Sequence, residues 1–223
     1  MTPIKITHYS DVLCIWAYIS QIRVDELLAK FGERISLEYH FMPVFGDAHR
    51  KIVNNWQDRG GVEAYHKHIA ALQEEFEHIR LHPKVWIDPT PRSSMPAHLY
   101  LAAARLLEEE GHVPHGAFRQ FLKHMRESFF VDNRDVSNCE ILKEIVSDSP
   151  LPTEQVENLI TCGKAYAALS HDFHMVNELN INSSPTLIFN ENRQRLAGNV
   201  GYKIIEANVN ELLELPIGGQ SWC

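Results

Sequence analysis

Apolar and polar residues alternate along two short stretches near the N-terminus. Ile4, Ile6 and His8 alternate weakly with Lys5, Thr7 and Tyr9, while Ile35, Leu37, Tyr39 and Phe41 do so cleanly up to Pro43. A period of two predicts two strands. Between them, after the turn residues Ser10 and Asp11, Ile19, Ile22, Leu27 and Leu28 recur at helical spacing and stop near Gly32. A strand therefore feeds a helix whose N-terminus lies near Cys14. A β-α-β connection favours parallel pairing with a right-handed crossover, so residues 3–43 read as one βαβ unit.

The pattern then changes to a helical one. Val62, Tyr65, Ile69, Leu72, Phe76 and Ile79 form an apolar stripe at alternating three and four spacing. Leu99–Leu107 is Ala/Leu-rich and ends at Gly111, Phe118–Phe129 carries an aromatic stripe, and Ser137–Glu140 reads as a capping box opening Ile141–Val146. Leu159, then Leu169, Phe173, Val176 and Leu179, continue the helical pattern. The last forty or so residues return to strands: Thr186–Asn190, a polar turn at Glu191–Arg193, and Gln194–Ala197 predict a hairpin. Gly198 and Gly201 bracket a turn, and Tyr202, Ile205, Val209, Leu212 and Leu213 predict a final amphipathic helix before Pro216. The tail Gly218–Cys223 reads as flexible. This order closes into one sheet if residues 1–45 and 176–223 form a discontinuous domain and residues 46–175 a helical insertion.

Composition narrows the function classes. With 44 % hydrophobic and 22 % charged residues over 223 positions, the chain is apolar enough to fold. A formal net charge of -8 argues against a nucleic-acid binder, which needs Lys and Arg to neutralise phosphates. Met1–Tyr9 lacks the features of a secretory signal, and no apolar run approaches the roughly 20 residues that span a bilayer, so a cytoplasmic protein with no membrane partner is expected.

The four cysteines, Cys14, Cys139, Cys162 and Cys223, form no CxxC pair and read as free thiols in a reducing compartment. Among the 13 histidines, His66 and His68 cannot share a helical face, and His78 and His82 are split by a helix ending before Pro83, so no metal site is expected.

The segment Asp11-Val-Leu-Cys14-Ile-Trp16-Ala17-Tyr18 resembles the D-x-x-C-P-W-C-Y segment of FrnE-like proteins of the DsbA family. Ser94-Met-Pro-Ala97-His98-Leu99, Phe129-Phe-Val-Asp-Asn-Arg-Asp135-Val-Ser, Ser184-Pro185-Thr186-Leu-Ile-Phe189 and Leu196-Ala-Gly198-Asn199-Val-Gly201-Tyr202 resemble four further motifs of that group, in order along nearly the whole chain. The resemblance implies an α/β thioredoxin-like fold with an inserted all-helical domain. Two departures bear on function: Ala17 stands where the group has its second cysteine, and Ile15 where it has proline. Cys14-Ile-Trp-Ala-Tyr18 is also similar to the S-P-Y-A-Y-L segment of 2-hydroxychromene-2-carboxylate isomerases and kappa-class glutathione transferases, with Cys14 at the serine position.

A thiolate is the nucleophile in disulfide exchange, and a helix N-terminus favours the anion through its dipole and unpaired N–H groups. Cys14 is therefore the candidate catalytic residue. By resemblance, Ser184 and Pro185 form a cis loop opposite it, and Trp16, Ser184 and Pro185 line a substrate or glutathione site, with Ala17 and Asn199 as neighbours. The bland readings stand beside these. Cys14 is then a small buried hydrophobe, Trp16 a core aromatic and Pro185 a helix stop. His98 and Asp135 are expected to be structural, Cys139 a first-turn helix residue and Cys162 a packed helical one. Three functions are compatible: a single-cysteine thiol-disulfide oxidoreductase assisted by glutathione or another thiol, a glutathione-dependent isomerase or transferase, and a non-catalytic thiol- or peptide-binding relative. The expected partner is a small thiol or a protein disulfide, with no tightly bound cofactor, glutathione as co-substrate, and homodimerisation left open.

Overall fold

The computed structural model describes residues 2–190 and 192–214. Glu191 of the predicted turn, Pro216, the tail Gly218–Cys223 and the fourth cysteine lie outside them.

Strand β1 (Ile4–Ser10) leads into helix α1 (Ile15–Phe31), and β2 (Ile35–Phe41) returns parallel to β1 with Ile4 opposite Ile35. Gly32 ends α1 at φ 51°, a conformation that costs a residue without a Cβ little. The chain then leaves the sheet for seven helices: α2 (Ala48–Trp56), α3 (Gly61–Glu75), α4 (Met95–Glu109), α5 (Ala117–Phe130), α6 (Cys139–Ser147), α7 (Thr153–Thr161) and α8 (Lys164–Glu178). It returns as β3 (Thr186–Phe189), β4 (Gln194–Ala197) and α9 (Tyr202–Glu214). The sheet order is β2-β1-β3-β4, with β3 antiparallel to both neighbours. A boundary between residues 175 and 176 falls inside α8.

The sheet is covered on both faces. Ile4 and Ile6 pack with Leu27 and Phe31 of α1 and Ile205 and Val209 of α9, whereas Tyr9 packs with Val176 beside the end of α8. That double cover explains why the alternation in β1 is weak: Thr7 and Tyr9, polar by pattern, are buried as well. Ile22, by contrast, is half exposed although it fits the helical stripe.

The core of the helical region continues into α1 and β2 without a break, joining Cys14, Ala17, Ile19, Tyr39 and Phe41 to residues of α3, α4 and α5. A buried carboxylate fastens the sheet edge to this region. Asp172 of α8 accepts from His40 Nδ1 at 2.7 Å, from Arg105 at 3.0 Å and from the Phe41 N–H at 3.0 Å. Burial pushes Asp172 up, but His40 and Arg105 outweigh it and hold the carboxyl below the ordinary range.

Three local expectations are corrected. Helix α6 is capped by Asn138, whose side chain accepts from the Glu140 N–H, while Ser137 is bonded to Asp135 instead of forming a capping box. Helix α3 ends at Glu75, short of Ile79, because the following segment turns to meet α1: Phe76 packs edge-on to Trp16, and His78 bonds to the Ile19 carbonyl. Cys162 is an exposed C-cap residue, not a packed one, whereas Cys139 does open α6.

Candidate active site

Cys14 is the N-cap of α1, with extended backbone (φ −78°, ψ 115°) and its N–H bonded to the Asp11 carbonyl at 3.1 Å. Its side chain does not cap the helix. Instead Sγ donates to the Ser184 carbonyl at 3.2 Å, across 170 positions of sequence. The Ser184–Pro185 peptide bond is cis. Ser184 also accepts, through Oγ, from the Asp11 N–H at 3.0 Å, so the loop before β3 grips the turn before α1 at two points. Pro185 lies seven residues beyond the end of α8 and is not a helix stop.

The thiol is 5 % exposed, so the reading of Cys14 as a buried residue and as a helix-end thiol both describe it. Burial pushes its pKa up. The Ser184 side chain, distinct from the carbonyl that the thiol donates to, and the N–H groups of Ala17 and Trp16 pull it down, and the nearby Asp11 carboxylate pushes it up again. The net direction is upward, against the expectation that the helix terminus alone would favour the anion, because desolvation exceeds what the backbone groups supply.

The turn is built on Asp11, a carboxylate with no exposed surface. Its Oδ1 accepts from the Leu13 N–H at 2.8 Å, and its Oδ2 accepts from the Phe45 N–H at 2.8 Å and from Ser94 Oγ at 2.7 Å. His98 Nε2 accepts from the Val12 N–H at 3.0 Å and lies 3.6 Å from Asp11 Oδ1. Hydrogen bonds to a charged group contribute about 1.5–3 kcal/mol each, so Ser94 and Asp11 are a substantial clamp. His98 thus has a structural role, at the start of α4 and under the reactive turn.

Of the other sequence candidates, Ala17 is buried one turn into α1 and Trp16 is half-buried beside Phe76 at 6.2 Å. Tyr18 stacks on Phe130 at 4.8 Å. Asn199 is not brought to Cys14. It is exposed and bonded to Arg23, nine residues or about 13 Å along α1, although its neighbour Gly198 donates to the Pro185 carbonyl at 2.8 Å.

Sequence reasoning assigned no functional role to Asp11, which it read as a turn residue, nor to Ser94 or Arg126. Arg126 of α5 is 1 % exposed, donates to Ser10 Oγ at 3.1 Å and to Gln21 Oε1, and its Nε has no partner. It sits four residues after Leu122 and four before Phe130, on the buried side of its helix, and a charged residue in that position was a readable signal. Among the described residues, no group of three or more His, Cys, Asp or Glu side chains is arranged to hold a metal ion, and no helix is long and apolar enough to cross a membrane.

The family model described as Thioredoxin matches residues 9–212. The ClpXP adapter protein SpxH of Bacillus subtilis is 24 % identical over 95 % of this chain and 68 % of its own length. The match to SpxH of Bacillus cereus is 28 % identical but spans only 44 % of this chain and 35 % of that protein, about a third of the relative's length. Among solved structures, the cytosolic disulfide reductase DsbM of Pseudomonas aeruginosa with GSH superposes with a TM-score of 0.65 at 17 % identity, covering 95 % of this chain and 100 % of that one. The thiol-disulfide exchange protein alpha-DsbA2 of Wolbachia pipientis gives 0.60 at 14 % identity, covering 95 % of this chain and 82 % of that one. At these identities the structural likenesses establish a DsbA-type fold.

Proposed function

This chain belongs to the thioredoxin family, and from that premise we propose that it exchanges thiols and disulfides through Cys14 alone. The observation that carries the reading is the position of the Cys14 sulfur, at the N-cap of α1 and 3.2 Å from the Ser184 carbonyl of the loop before β3, with Ala17 and no second thiol one turn on. In the first step the Cys14 thiolate attacks one sulfur of a disulfide. The S–S bond breaks, the departing thiolate takes up a proton, and a mixed disulfide on Cys14 remains. Ala17 offers no neighbouring thiol to resolve it. A second thiol, for which glutathione is the proposed co-reactant, attacks the mixed disulfide, forms a new disulfide and returns Cys14 as thiolate. Support for glutathione comes from the fold shared with a disulfide reductase solved with GSH. A reducing compartment suits this chemistry, because it supplies the resolving thiol.

A second reading is favoured by the curated relatives, which are adapters: the same cleft holds a partner protein without turnover. The burial of Cys14 suits it too. Incubation with glutathione disulfide, followed by intact-mass measurement with and without Cys14→Ser in a protein whose Cys139, Cys162 and Cys223 are replaced by serine, tests the proposal, since Cys139 and Cys162 are exposed thiols. One glutathione adduct on the protein that keeps Cys14, absent from its Cys14→Ser counterpart and released by added thiol, is the expected result. Equal labelling of the two proteins overturns it. Turnover of an isomerisation or conjugation substrate without disulfide reduction selects the glutathione-dependent alternative.

A further inference from the structure

A buried ion ordinarily sits beside an opposite charge, because removing an unbalanced guanidinium from water is costly. Arg126 departs from this. It is 1 % exposed, its two hydrogen-bond partners, Ser10 and Gln21, are neutral, and no carboxylate of the described residues lies within ion-pair distance of it. Its Nε is buried without a partner. The charge must be balanced at longer range.

Four acidic groups lie within its electrostatic reach: Tyr39, Cys14, Asp11 and Asp25. Burial pushes the Tyr39 phenol far above the physiological range, so it stays neutral. Asp25 accepts from Gln21 Nε2 at 3.1 Å, and so joins Arg126 through that amide, but it is exposed to water. The Asp11 carboxylate accepts from Leu13, Phe45 and Ser94, all neutral donors, and so stands as the fixed member of the set. Cys14 is the member of the set whose charge changes when it reacts. Ser10, which holds the guanidinium, immediately precedes Asp11, so Arg126 lies under the turn that carries the thiol.

We propose that Arg126 is the internal countercharge of the Cys14 thiolate, a positioning residue whose buried cation offsets part of the desolvation that disfavours the anion. The inference rests on Cys14 being the reacting thiol. The groups that surround this pair are Asp11 on the same turn, Tyr65 on α3 and His98 on α4, with His8 on β1 and Tyr39 on β2 facing Arg126.

The test is the pH profile of iodoacetamide alkylation at Cys14, read by peptide mass in wild type, Arg126→Gln and Arg126→Lys, with Cys14→Ser as blank and circular dichroism to verify folding. Arg126→Gln is expected to move the profile upward by about one pH unit, which is about tenfold in rate at pH 8. Arg126→Lys keeps the charge and is expected to stay within about twofold of wild type, even where it lowers the melting temperature. A folded Arg126→Gln with the wild-type profile overturns the proposal. Should that variant not fold, Gln21→Glu carries the question by placing a carboxylate on the guanidinium: an upward shift supports the proposal, and an unchanged profile overturns it. The lack of a glutathione adduct at Cys14 of the wild type, read by peptide mass, would instead sink the reading of Cys14 as the reacting thiol, and so the two failures are distinguishable.

Discussion

Cys14 donates its thiol proton to the Ser184 carbonyl at 3.2 Å, a bond that only the protonated sulfur can make. Ionisation breaks this contact and leaves a lone pair facing a carbonyl oxygen, while burial opposes the anion as well. Alkylation of Cys14 is therefore expected to keep rising beyond pH 9, the ordinary thiol value, without levelling. A plateau reached below pH 8.5 would show that the helix terminus outweighs burial.

Ala17 lies on the first turn of α1, three residues after Cys14, and is wholly buried. Ala17→Cys supplies the resolving thiol that the chain lacks. In a single turnover by the pre-reduced proteins without added glutathione, the variant is expected to release both thiols of a disulfide reporter as its own two cysteines join in a disulfide, whereas the wild type stops at the mixed disulfide until a thiol is added. A variant that also stops at the mixed disulfide would mean that resolution is not what Ala17 removes.

His8 is buried on β1 with its Nδ1 unpartnered, and its ring meets Tyr39 edge-on at 5.2 Å. Burial first, and the Arg126 charge second, lower its pKa from 6.5 to about 3. The unfolded chain therefore binds a proton that the folded one refuses between these values, so the stability tied to neutral His8 is complete above pH 6.5 and declines as pH falls toward 3. Between pH 7 and pH 5 this residue is expected to cost about 2 kcal/mol. Urea unfolding at both values should show that loss in the wild type and about 2 kcal/mol less of it in His8→Leu. An identical pH dependence would contradict the assignment.

Much of this architecture was legible in the sequence, because period-two and helical patterns are written locally. The alternation of Ile35 to Phe41, the stop at Gly32 and the hairpin ending at Ala197 all became the elements they predicted. The placement of Cys14 opposite Ser184 was available only through the family resemblance, since 170 residues separate the two. What was not legible depends on partners distant in the chain. Asp11 reads as a turn former, and nothing near it announces Ser94, Phe45 or His98. Yet Arg126 between Leu122 and Phe130, and Asp172 between Leu169 and Val176, interrupt apolar stripes at helical spacing, and each proves to be a buried polar anchor. A charge on an apolar face is the sequence signal for such a contact.

The Asp11 carboxylate joins its own turn to the segment after β2 and to the start of α4. Consequently the reactive loop acquires its shape only once the helices have docked. The middle of this protein is not removable cargo: excising it, or exchanging it for a homologous block without a matching serine and histidine, would leave a sheet with a cysteine on it but no turn to aim the sulfur.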